Sequence, residues 1–143
     1  MVGYSGTPLP RKLGLRPGAR FGLINPPPAF ARTLGELPPG VRPTAVSAGK
    51  SRFDVIVCFA RTMAEVARAP ALKARLDPAG GLWMAWPKKA SGVPTDISEN
   101  AVRAMGLAAG LVDNKVCAID ETWSGLRFVF RVAYRAKPAR RRA

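Results

Sequence analysis

The amino-acid sequence predicts an α/β protein: a three-layer, mostly parallel sheet that ends in an antiparallel β-hairpin. Three observations carry this. Two short apolar runs, Val55-Ile-Val-Cys-Phe-Ala60 and Leu82-Trp-Met-Ala-Trp86, contain no polar residue, the pattern of strands covered on both faces. Each is followed by a helix-start signature in which a capping side chain precedes a glutamate by three positions, Thr62-Met-Ala-Glu65 and Asp96-Ile-Ser-Glu99. The chain then closes with two β-rich segments joined by a short polar connection, and strands alternating with helices before such a hairpin give a parallel sheet with an antiparallel edge.

The elements follow in order. Thr7-Pro8 opens a short helix with proline at its first position, and Gly14 stops it. Residues 20–24 read as a short strand that Asn25 and the prolines Pro26, Pro27 and Pro28 end abruptly, because proline cannot donate to a ladder. A short helix over 29–34, a proline-rich loop over 36–43 and a short strand over 44–46 come next. Residues 53–59 are the strongest strand. From Thr62 a helix is predicted with Met63, Val66, Leu72 and Leu76 on its apolar face, kinked or split at Pro70. Asp77-Pro-Ala-Gly-Gly81 reads as a turn, and Pro87 stops the second buried strand. The second helix-start signature predicts a helix from Asp96 to about Ala109, closed by Gly110. A strand over 112–119, a hairpin connection over 121–125 and a last strand over 126–134 complete a single domain, residues 1–134. Residues 135–143 are too polar to pack and read as a disordered basic tail.

The chain has 143 residues, 48% hydrophobic and 22% charged, which excludes a wholly disordered chain. The longest clean apolar run, six residues, is far below the ~20 that a membrane-spanning helix needs. The first ten residues lack a basic segment followed by an apolar core, so no secretory signal and a cytoplasmic setting are expected. There are 23 Lys+Arg against 9 Asp+Glu, and no histidine. The charge is uneven. Residues 36–126 carry eleven basic and nine acidic side chains, whereas 1–35 carry five basic and none acidic, and 127–143 seven basic and none acidic. A near-neutral middle with cationic ends attracts polyanions, nucleic acid among them. Arg135, Lys137, Arg140, Arg141 and Arg142 are the candidate nucleic-acid contacts. No sequence-reading module accompanies them, so the expected affinity is salt-dependent and blind to sequence.

Cys58 and Cys117 lie in apolar runs and read as buried free thiols. Two cysteines without histidine do not make a zinc site, and the lack of histidine excludes Ser-His-Asp and Cys-His chemistry. No catalytic residue, metal or cofactor is assigned. Ligands of open α/β sheets bind beyond the carboxyl ends of the strands. There the sequence places Asn25, Arg61, Lys88, Lys89 and Ser91, and two lysines beside the start of the next helix suit a phosphate or carboxylate. Asp120 and Glu121 are candidates for paired carboxylates or a metal site, but neighbours in a strand point to opposite faces. The simpler reading is a turn whose acids pair with Lys115 or Arg127 across the hairpin.

The stretch Leu13-Gly-Leu-Arg-Pro-Gly-Ala-Arg-Phe21, the Asp77–Gly81 turn and the closing hairpin together resemble a shortened class I methyltransferase, the Rossmann-like fold that binds S-adenosylmethionine. That resemblance implies a glycine-rich turn after the first strand and an acidic residue at the end of the second. Here the first position reads Ile24-Asn-Pro-Pro-Pro-Ala-Phe30, and the second, Val46-Ser-Ala-Gly-Lys50, holds no acid. Over nearly its whole length the chain also resembles an uncharacterised bacterial family, a domain of unknown function. The likeness rests on Gly3-Tyr-Ser-Gly-Thr-Pro-Leu9, Trp86-Pro-Lys-Lys-Ala-Ser-Gly-Val93 and residues 110–126. The expectation is a non-catalytic binding protein on a degenerate methyltransferase-like scaffold. A small methyltransferase with an atypical cofactor loop and a protein-interaction or oligomerisation module are the alternatives.

Overall fold

The computed structural model describes residues 7–131. The predicted tail, 135–143, and the last three residues of the predicted final strand, 132–134, lie outside them. Six strands form one sheet: β1 (Phe21–Ile24), β2 (Pro43–Ala45), β3 (Phe53–Phe59), β4 (Leu76–Pro87), β5 (Leu111–Ala118) and β6 (Trp123–Phe130). Their order is β2-β1-β3-β4-β6-β5. β2, β1, β3 and β4 run parallel, and β6 is antiparallel to both β4 and β5. This is the expected mixed Rossmann-like sheet.

Two apolar clusters show why the sheet needs cover on both sides. α1 (Leu9–Leu13) and α2 (Phe30–Leu34) sit on one face, where Leu13, Phe30 and Leu34 pack with Phe21, Val57, Phe59 and Trp83. α3 (Met63–Val66), α4 (Ala69–Lys73) and α5 (Glu99–Ala108) cover the other, where Val66, Leu72 and Val102 meet Ile56, Met84 and Phe128. Side chains alternate between faces along a strand, so residues 55–59 feed both clusters from a run with no polar member. Trp83 is wholly buried, and its indole N–H donates to the Leu13 carbonyl at 3.1 Å, which ties α1 to the middle of the sheet.

Two glycines set close approaches. α5 lies so near β6 that a side-chain carbon on Gly106 would strike the Phe128 ring, and one on Gly22 would strike Val46. Val46 belongs to the link 46–52, which joins β2 to β3 with no helix, so it covers that end of the sheet itself.

Several sequence expectations are corrected. The stretch read as a turn, Asp77–Gly81, belongs to β4: Leu76 pairs with Phe53 and Gly81 with Val55, so four residues bulge opposite Asp54. The Asp77 carboxylate accepts from the Ala79 amide at 3.0 Å within this bulge. The helix predicted from Thr62 is split as expected, with Pro70 in the first turn of α4, but Leu76, expected on its apolar face, lies in β4. Asp96 is not a helix cap. Ser98 takes that place, its hydroxyl accepting from the Ala101 amide, while Asp96 accepts from Met63 N at 2.9 Å. The hairpin connection is 119–122 rather than 121–125, because Trp123 already pairs with Pro87. β5 starts at Leu111, and a bulge between Asp113 and Lys115 absorbs the polar stretch that disguised its start.

Candidate functional site

Strand direction brings three loops to the carboxyl edge of the parallel strands. They follow β1 (from Asn25), β3 (from Ala60) and β4 (from Lys88), and the β5–β6 turn joins them because β6 starts beside the end of β4. Asn25, Arg61, Lys88, Lys89 and Ser91 therefore share this edge, as the sequence placed them. Asn25, Arg61 and Lys89 are exposed, and Lys88 and Ser91 are half-buried.

The turn after β1 is held by covalent geometry. Asn25 takes the left-handed conformation, φ 54°, and is the non-glycine residue that does so among the described residues. Three residues without N–H groups follow, and the Phe30 amide donates back to the Pro27 carbonyl at 3.0 Å. No side chain caps α2.

The turn after β3 is held by hydrogen bonds. Glu65 Oε1 accepts from the amides of Arg61 (2.7 Å) and Thr62 (3.3 Å), and the Thr62 hydroxyl accepts from the Glu65 amide, a complete capping box. Asp96 takes the Met63 amide, and the Thr95 hydroxyl donates to the Arg61 carbonyl at 2.7 Å. The loop before α5 is thus bound to the turn after β3.

Beneath this edge lies an aromatic column. The Phe59 ring meets Phe30 edge-on at 4.8 Å and Trp123 edge-on at 5.0 Å, and the Arg61 guanidinium lies 5.2 Å over Trp123. Phe30, Phe59 and Trp123 are all buried. Trp123 is therefore core, with its outer side given to a cation.

The loop after β4 is also self-satisfied. The Lys88 amide donates to the Thr122 carbonyl at 2.8 Å. The Ser91 hydroxyl donates to the Lys88 carbonyl at 2.6 Å and accepts from Val93 N, so it closes its own turn. Asp120 Oδ1 accepts from the amides of Thr122 and Trp123, both at 2.8 Å, which corrects the expected pairing of that acid with Lys115 or Arg127. Glu121 is exposed on the same turn.

The thiols agree with the sequence in part. Cys58 is fully buried, and burial pushes it up to about 11, with Arg68 pulling down and Glu65 pushing up more weakly. Cys117 is only half-buried. Burial also raises it, against Lys12 and Lys115.

The sequence missed two concavities beside α1. A groove of about 930 Å³ runs between α1, the 33–39 segment and Asp120. A cleft of about 610 Å³ lies between α1 and β5. Both are assembled from residues about 100 positions apart, and no local pattern in the sequence marks them.

No protein-family model matches the sequence, and no curated protein matches it. Solved structures do. An S-adenosylmethionine-dependent methyltransferase from Aquifex aeolicus is 13% identical, with 82% of this chain and 85% of that one covered at a TM-score of 0.57. Magnesium protoporphyrin IX methyltransferase from Synechocystis PCC 6803, solved with bound S-adenosylhomocysteine, is 11% identical, with 80% and 75% covered at 0.53. The chain has the fold of these enzymes, the Rossmann-like class I methyltransferase fold in shortened form. Among the described residues no helix is long and apolar enough to cross a membrane.

Proposed function

We propose that the chain is a non-catalytic binding protein on a methyltransferase scaffold, with anions as its ligands. The turn after β1 carries this reading. A nucleoside cofactor on this fold rests against the backbone of that turn, which needs glycine for close approach and amides for polar contact. Pro26, Pro27 and Pro28 provide neither, and the Phe30 amide is already donated. The link after β2 has no carboxylate to accept ribose hydroxyls. It carries Lys50 and Arg52 instead, and the Arg75 guanidinium pins it by donating to the Ser47 and Ser51 carbonyls. The residues present do not fit S-adenosylmethionine. The positive charge of Arg61, Lys88 and Lys89 remains at this edge and suits an anion.

A second reading, a methyltransferase with an atypical cofactor loop, draws support from the fold of the Aquifex and Synechocystis enzymes. Calorimetric titration separates the two. With S-adenosylmethionine and S-adenosylhomocysteine the expected result is no binding heat. A saturable one-to-one isotherm with either would overturn the binding-protein reading in favour of the enzyme. The cytoplasmic setting and the affinity of the basic ends for nucleic acid belong to the same proposal. Retention on heparin that falls steeply with salt supports the latter, and retention unchanged after removal of residues 135–143 removes the tail from it.

A further inference from the structure

We propose that the cleft between α1 and β5 is a binding site for a phosphate-bearing ligand. This deepens the anion-binding reading and rests on it, but places the ligand away from the Lys88–Ser91 loop. Thr7, just before α1, and Arg11 and Lys12 of α1 line one side of the cleft, and Lys115 and Cys117 line it from β5. Among the described residues no acidic residue lines it.

The fold holds these cations together by independent means. Arg11 and Lys12 occupy the last turn of α1, whose position is fixed by the buried Leu13 and the bond from Trp83 to its carbonyl. Lys115 is set by register directly opposite Arg127 on β6, and like charges in that position repel. The Arg127 guanidinium lies on the α1 side of the sheet, near Gly14 and over Gly81, which has no side chain to displace it. Burial raises the Cys117 thiol, and the charges of Lys12 and Lys115 oppose that rise more weakly.

Asp113 and Asp120, on β5 and the turn after it, each have a partner of their own. Asp113 lies beyond the β5 bulge and pairs with Arg103 at 2.9 Å against α5. Asp120 is held by two amides of its own turn. Guanidinium and ammonium groups are the cations whose charge-assisted hydrogen bonds phosphate oxygens accept. A space of about 610 Å³ holds more than one phosphate group. The ligand class is therefore a phosphate ester, either a phosphorylated small molecule or a polynucleotide backbone.

The test is residue-resolved NMR titration of the full chain with pyrophosphate and, separately, with a short oligothymidylate at equal phosphate concentration. Saturable shifts of the Lys12 amide and of the amides of residues 115–118 are expected. Arg11→Glu with Lys115→Glu should weaken binding at least about tenfold, a loss of about 1.4 kcal/mol. Lys50→Glu with Arg68→Glu, an equal charge change outside the cleft, should leave it within about twofold. Much tighter binding of the oligonucleotide assigns a polynucleotide, and equal binding a small ester; both sustain the site. Saturable shifts centred on residues 88–91 would overturn the cleft and leave the anion-binding reading standing. No saturable shift anywhere overturns both, and equal weakening by the two double variants reduces the effect to net charge. Should the glutamate pair lose its dispersed spectrum, Arg11→Gln with Lys115→Gln gives the same comparison with a smaller change.

Discussion

The turns that leave β1 and β3 do the same topological work by opposite means. Both carry the chain from the carboxyl end of a parallel strand into a helix, and their strands end side by side, Ile24 paired with Cys58. The β3 turn is knit by Glu65, Thr62, Asp96 and Thr95. The β1 turn has no such bonds and is stiffened by Pro26–Pro28. In one turn the amides are occupied, in the other they are missing. Either way, backbone that could meet a ligand at this edge serves the protein instead.

The largest expected effect is at the ring both turns share. Phe59 touches Phe30 from the β1 side and Trp123 from the hairpin side. Phe59→Ala should lower unfolding free energy by about 3–5 kcal/mol in urea titration. A loss under about 1 kcal/mol would mean that the two turns are not joined through this column.

Next is a pH effect one residue earlier. Cys58 lies under both turns, and its pKa of about 11 is above its ordinary value of 9.0. A thiol whose folded pKa is raised stabilises fully below the unfolded pKa and loses that contribution as pH rises toward the folded one. Stability should therefore fall by about 2 kcal/mol between pH 9 and 11. The comparison that isolates this thiol is with Cys58→Ala, whose profile should be flatter by that amount. Parallel profiles would show that this thiol ionises as freely folded as unfolded.

Smaller still is the capping box. Glu65→Ala removes one acceptor from two amides and should cost about 1–2 kcal/mol. The loop that binds this turn through Asp96 and Thr95 should loosen with it, read as faster amide exchange at Arg61, Thr62 and Met63. Unchanged exchange would assign the rigidity of this turn to the aromatic column alone.

Why these turns were legible in the sequence, and the α1–β5 cleft was not, follows from the range of the forces involved. β3 is legible to the residue because a strand buried on both faces excludes polar side chains, here from Val55 to Phe59. The capping box at Thr62 was read because its two bonds close within four residues. Asp96 misled because its partner, Met63, is 33 positions away, and a local pattern cannot tell a cap from a long-range tie. The start of β4 was hidden because Asp77, Pro78 and two glycines serve a bulge as well as a turn. Asn25, Arg61, Lys88, Lys89 and Ser91 do gather at one edge, since strand direction alone determines that. The hydroxyl of Ser91 is consumed by its own turn, which only coordinates reveal. The cleft depends on where α1 docks and on the register of β5, and neither leaves a periodic trace.

The smallest effect belongs to the prolines, and it bears most directly on function. Asn25, Pro26 and Pro27 each precede a proline, which disfavours the helical region for all three and leaves the turn few alternatives even when unfolded. Pro26 and Pro28 are exposed, so their removal opens no cavity. Replacing one of them with alanine should cost about 0.4–1 kcal/mol, through the freedom restored to the unfolded chain. Pro26→Ala with Pro28→Ala therefore leaves a folded protein whose β1 turn has two amides back. On the reading advanced above this variant still gives no heat with S-adenosylmethionine, because the link after β2 carries Lys50 and Arg52 where a ribose would need a carboxylate. Binding gained by the double variant would mean that the prolines alone close a cofactor site which the rest of the edge still supports.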